Sequence, residues 1–154
     1  MNRPITGFRL DEAGDWVAIL GCGHPQHVRH KPPFVRRPWV TTEEGRRRTL
    51  GQMLDCLRCD RLELPAAAVP GARTEHALSG ADAKAIDDRA APGVWHVIVV
   101  RDGRLRLQVQ AMRIDAPLAP GANGVLPPEL DYRLEPLEPV RFAVEEHAVP
   151  AGTA

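Results

Sequence analysis

The chain has 154 residues, 44% of them apolar and 26% charged, with a formal net charge of zero. That composition can bury a core and excludes a chain too polar to fold. No apolar run approaches the ~20 residues needed to span a bilayer, and Arg3, Arg9, Asp11 and Glu12 do not suit a secretory signal peptide. Fifteen prolines, thirteen glycines and 5% aromatic residues predict short elements, many turns and a modest core. Three cysteines, an odd number, speak against a disulfide framework and for a reducing, cytoplasmic location.

The charge is unevenly spread. Residues 1–60 carry ten Lys/Arg against seven Asp/Glu, and residues 61–154 carry ten against thirteen. All three cysteines also lie in the first part. Between the halves, Pro65 to Gly71 has proline at two points, small residues between them and no period of 2 or 3.6. Two domains are therefore expected: a module over 1–62, a linker over 63–73, a second domain over 74–149 and a flexible tail over 150–154.

In chain order, residues 15–20 predict a strand that enters a turn at Gly21–Pro25, and residues 26–30 predict its antiparallel return. Pro32, Pro33 and Pro38 keep the next stretch extended. Thr42, followed by Glu43 and Glu44, opens a short helix running through Leu50 toward Leu54. Cys56-Leu-Arg-Cys59 follows it.

The chemistry concentrates in Cys22-x-His24 and Cys56-x-x-Cys59. Zinc takes four N/S ligands in a tetrahedron, and two turn-borne pairs from distant segments can supply them. Such an ion staples a module too small to hold itself by burial alone. The expected set is Cys22, His24, Cys56 and Cys59, with His27 and His30 as alternative imidazoles. Two rivals share parts of the motif. A redox C-x-x-C should follow a strand and open a helix in a βαβ unit, whereas here it is expected to follow a helix. A [2Fe–2S] centre of the Rieske kind uses a second histidine where this chain has Cys59.

Gly7-Phe8, Asp15-Trp16-Val-Ala, Cys22-Gly-His24-x-Gln26-His27-Val-Arg-His30, Arg37-Pro-Trp39-Val, Glu44-Gly-Arg46 and the closing Cys-x-x-Cys resemble an uncharacterised bacterial family of zinc-ribbon-like proteins. The resemblance implies metal binding by Cys22, His24, Cys56 and Cys59 and no reaction. Arg36-Arg37 and Arg46-Arg47-Arg48 are basic, yet the excess charge is small and Glu43 and Glu44 adjoin the second run. A solvated helix face is expected there, not a nucleic-acid surface.

The second half is punctuated for β-structure. Val94–Val100 is strongly β-prone, Asp102-Gly103 is a hairpin turn, Arg104–Val109 alternates, Gly121–Gly124 turns, Val125–Pro128 is edge-like and Arg141–Glu145 alternates again. Gly93-Val-Trp95, Val100-x-x-Gly103-x-Leu105, Pro127-Pro128, Arg133-x-Glu135-Pro136-Leu137 and Val140-Arg-Phe142 resemble a small cupin family annotated with tellurite resistance. That resemblance implies a cupin-like β-barrel, a double-stranded β-helix, over about residues 76–146.

Where that family carries imidazoles, this chain has Asp88 and, near the second position, Tyr132, so the barrel is expected to hold no metal. His96 adjoins Trp95 in a strand, so one of the two faces inward, and a hydrogen-bonded structural histidine is the simpler reading. Asp87-Asp88 reads as a solvated turn. The expectation is a mainly β, non-enzymatic zinc protein: a zinc-ribbon-like module with one short helix, fused to a cupin-like binding or oligomerisation domain, in a stress or tellurite response. Homodimers through the cupin-like domain are expected, and a membrane is not. The alternatives are a metal-dependent cupin enzyme working through His96, Asp88 or Tyr132, and a nucleic-acid-binding zinc ribbon.

Overall fold

The computed structural model describes residues 1–80 and 83–150. It is mainly β. Strands β1 (Asn2–Leu10), β2 (Trp16–Leu20), β3 (Pro25–His27) and β4 (Met53–Asp55) form one antiparallel sheet in the order β3-β2-β1-β4. Helix α1 (Glu43–Thr49) lies between β3 and β4, and α2 (Leu57–Asp60) follows β4. The hairpin of β2 and β3 forms as the turn residues require. The helix also starts as expected, with the Thr42 hydroxyl accepting the Gly45 N–H at 3.1 Å. It ends sooner, at Thr49, because Gly51 takes a left-handed backbone (φ 83°) and turns the chain into β4.

A zinc-ribbon module is not shown. Two helices, not one, accompany this sheet, and β1, which lies at its centre beside β2, has no counterpart among the expected elements. Part of the segment read as a linker is strand: β5 runs from Val69 to Leu78.

The later strands are β6 (Ile86–Arg89), β7 (Val94–Asp102), β8 (Leu105–Val109), β9 (Ile114–Leu118), β10 (Asn123–Leu126), β11 (Asp131–Pro136) and β12 (Val140–Ala148). They make two antiparallel sheets, β10-β7-β12-β5 and β6-β11-β8-β9. Period-two alternation sends Ile98, Val100, Phe142 and Val144 of one sheet against Leu105, Leu107, Leu134 and Leu118 of the other, in one shared core. The two sheets are not closed into a barrel, which corrects the expected closed β-helix.

A second core cluster lies under the first sheet and joins it to the sandwich: Ile5, Ala18, Leu20, Val28 and the three cysteines are buried with Trp95 of β7, and Val125 and Val149 pack against them. Among the described residues, no helix is long and apolar enough to cross a membrane.

Candidate metal centre

Cys22 and His24 lie in the β2–β3 turn. Gly23, between them, has φ 85° and donates its N–H to the Leu20 carbonyl at 2.7 Å. A left-handed residue here lets the chain reverse within one step and aims both flanking side chains the same way. A Cβ at Gly23 would stand 2.5 Å from Cγ1 of Val149, so close packing also calls for glycine.

The second pair sits where β4 ends and α2 begins. Cys56 caps the helix, and the Cys59 N–H donates to the Cys56 carbonyl at 3.1 Å, closing the turn that brings the two thiols together. The Cys-x-x-Cys pair therefore does follow a strand and open a helix, contrary to expectation. The setting is nonetheless not βαβ, since β4 runs antiparallel to β1 and α2 has four residues.

The four donor atoms lie within 4.8 Å of one another and all four residues are buried. Nδ1 of His24 is 3.5 Å from Cys22 Sγ, 3.4 Å from Cys56 Sγ and 3.8 Å from Cys59 Sγ, and Cys22 and Cys56 sulfurs are 3.8 Å apart. Around one zinc ion, metal–sulfur bonds of about 2.3 Å and a metal–nitrogen bond of about 2.0 Å at tetrahedral angles put sulfurs about 3.8 Å apart and sulfur about 3.5 Å from nitrogen. The separations of His24 Nδ1 from the three sulfurs, and of the Cys22 sulfur from that of Cys56, lie close to that spacing.

The three thiols share protons unequally. The hydrogen bond from Cys59, with help from His24, pulls the Cys22 thiol down to about 4, and the same bond, with burial, holds Cys59 far above its ordinary value. Burial pushes the Cys56 thiol up. One readily formed thiolate beside two further sulfurs and an imidazole, all buried, is a donor set chemically suited to a soft or borderline cation. Nε2 of His24 is buried without a hydrogen-bond partner. Its ring stands nearly perpendicular to Trp95 with centroids 5.5 Å apart. The Trp95 indole N–H donates to the Cys22 carbonyl at 2.8 Å, so a residue of the sandwich braces the first ligand turn. Sequence reasoning placed Trp95 only in a motif of the second half; nothing local could show what its outer face meets.

The alternative imidazoles lie elsewhere. Nε2 of His27 is 2.9 Å from a carboxylate oxygen of Asp11, and His30 Nδ1 accepts the Arg37 N–H at 3.0 Å. In the sandwich, Trp95 faces the cysteines and His96 faces the other way. His96 Nδ1 lies 2.7 Å from the Tyr132 hydroxyl, which donates to Asp88 at 2.7 Å. Asp87-Asp88 is strand β6, not a turn, with Asp87 paired to Arg133.

Residues 6–63 match the model of a family described as "Protein of unknown function (DUF3565)". No curated protein sequence matches the chain. Several solved structures are similar in part. A cupin-2 domain containing protein from Shewanella frigidimarina is 16% identical over 49% of this chain and 68% of its own, with a TM-score of 0.40. A protein from E. coli K12 is 18% identical over 57% of this chain and 97% of its own, with a TM-score of 0.47. A cupin superfamily protein from Desulfitobacterium hafniense is 13% identical over 56% of this chain and 89% of its own, with a TM-score of 0.35.

Proposed function

We propose that the chain is a zinc protein in which Cys22, His24, Cys56 and Cys59 hold one structural ion that fastens the N-terminal sheet to the sandwich. The observation that carries this is the convergence of four buried donors, from segments over thirty residues apart, at the spacing of a single tetrahedron. Three thiolates and one imidazole satisfy zinc with no position left over, the pattern of a structural rather than a catalytic site. A [2Fe–2S] centre spreads four ligands over two irons bridged by sulfide, and a donor set closed around one point suits it poorly. Bound there, the ion supplies crosslinking. The protein contributes the turns that aim the ligands and the Trp95 hydrogen bond that holds one of them. Metal analysis of the purified chain tests this: one zinc per chain is expected, and iron with acid-labile sulfide would replace zinc with a cluster.

The sandwich we read as a binding and self-association unit. Edge strand β5 is largely exposed along its ten residues, and an open edge favours pairing with a second copy. Sedimentation of the purified chain tests this, with a dimer expected and a strict monomer against it. The link to tellurite rests on the family resemblance alone.

A further inference from the structure

At one end of the sandwich, the start of β11, the end of β6 and the β8–β9 connection frame an open groove of about 910 Å³. That size lies in the range of small-molecule sites. Its floor is polar. Tyr132 is buried, gives its single hydroxyl proton to Asp88, and so accepts at its oxygen from His96 Nδ1. One chain of hydrogen bonds thus runs from β7 in one sheet to β11 and β6 in the other. Burial first, then the Asp88 bond, holds the Tyr132 phenol well above its ordinary value, which keeps it a donor.

The charges around the groove are mostly spent on one another. Asp131 pairs with Arg89 at 3.1 Å, Asp87 with Arg133 at 2.8 Å, and Asp115 with Arg106 at 2.6 Å. Two groups of opposite sign are left. The hydrogen-bond donors to the Asp88 carboxylate are neutral, the Tyr132 hydroxyl and the Arg89 N–H, while His96 Nδ1 stands 3.6 Å off and spends its own hydrogen bond on Tyr132. Arg113, among the described residues, has no side-chain hydrogen bond or ion pair. Its backbone is left-handed (φ 55°) at the end of a one-turn 3-10 helix, Gln110–Met112, a conformation few non-glycine residues adopt and one that sets it at the groove's rim.

We propose that this groove binds a small zwitterion of the amino-acid or short-peptide class, its ammonium on Asp88 and its carboxylate on Arg113. A simple anion leaves Asp88 unanswered and meets its repulsion, and a simple cation meets Arg113 in the same way. A molecule carrying both charges answers both. The bound ammonium also has the Tyr132 oxygen within the same cluster as a polar neighbour. The site is distinct from the metal centre: of two consecutive residues of β7, Trp95 faces the cysteines, while His96 faces the other way and meets Tyr132, which lines the groove.

Tyr132 is the only tyrosine, so the full chain labelled with carbon-13 at tyrosine Cζ gives one resonance that reads the groove floor. The probes are glycine, diglycine and triglycine, with their N-acetyl and C-amide forms, which remove one charge each. At least one free zwitterion is expected to shift the resonance saturably in the millimolar range or below, with its capped forms about tenfold weaker or more. Arg113→Gln, a change at an exposed residue, is expected to weaken that binding by about tenfold while leaving the ligand-free resonance in place. No saturable shift from any free zwitterion, equal response to the capped forms, or undiminished affinity in Arg113→Gln would each overturn the proposal.

Discussion

Replacing Trp95 with phenylalanine separates bracing from packing at the metal centre. Trp95 is fully buried, stands nearly perpendicular to His24, and donates to the Cys22 carbonyl at 2.8 Å. Phenylalanine keeps a ring against His24 but removes the donor, leaving a buried carbonyl without that partner. Such a loss costs about 1–3 kcal/mol, and the smaller ring adds on the order of 1 kcal/mol for the space it leaves. The carbonyl belongs to the first ligand, so the hydrogen-bond share falls on the metal-bound geometry. Partners one step behind a metal ligand are typically worth about 10–100-fold in affinity, which at about 1.4 kcal/mol per tenfold agrees with the cost of the lost bond. Competition against a chromophoric chelator measures affinity, and urea unfolding of the metal-free chain measures packing. Trp95→Phe is expected to bind zinc about 10–100-fold more weakly. If metal-free stability falls while zinc affinity stays unchanged, Trp95 only fills space and the coupling of sandwich to metal centre is wrong.

Cys59→Ser is expected to release the ion and shift tryptophan emission to longer wavelength as the cluster around Trp95 opens; retained stoichiometry and unshifted emission would remove Cys59 from the ligand set. Gly23→Ala combines a left-handed backbone with a collision on Val149 and is expected to abolish tight metal binding. Gly14→Ala, equally left-handed but with nothing within 4 Å of the added carbon, should cost only about 1 kcal/mol of stability and keep the ion. The phenol of Tyr132 is raised by burial, so the folded state holds its proton where the unfolded state gives it up. That contribution is whole below the unfolded value of about 10 and lost as pH rises through the folded one. Alkaline titration should accordingly show tyrosinate absorbance only together with unfolding, and an ordinary midpoint in folded protein would contradict the buried hydrogen bond.

The local chemistry of the chain was legible, and its long-range partners were not. Cys22-x-His24 on a glycine turn and Cys-x-x-Cys declare their donor geometry within a few residues, so the three sulfurs the fold gathers could be named from spacing, while the imidazole stood open between His24, His27 and His30 until the fold set His24 beside them. Thr42 announced its helix by the same short-range logic. β1 carries no clean alternation, with Pro4 and Gly7 inside it and Arg3 buried, and only pairing with β2 and β4 makes it a strand. β5 is exposed along most of its length and contains Pro70 and Gly71, so it reads as a linker until β12 is beside it. For Trp95 and His96, alternation fixed that they face opposite ways but not what each would meet. Asp88 and Tyr132 become neighbours only through the pairing of β6 with β11, and the stacking of the two sheets then adds His96 to one hydrogen-bonded chain.

The central claim is a single tetrahedral ion bound by three sulfurs and one nitrogen. X-ray absorption at the zinc edge on the purified full chain, with metal content measured on the same sample, tests it most directly. The expected result is one zinc per chain with a first shell of three sulfurs at about 2.3 Å and one nitrogen at about 2.0 Å. A shell dominated by nitrogen or oxygen, or a preparation carrying iron and sulfide in zinc's place, would contradict it.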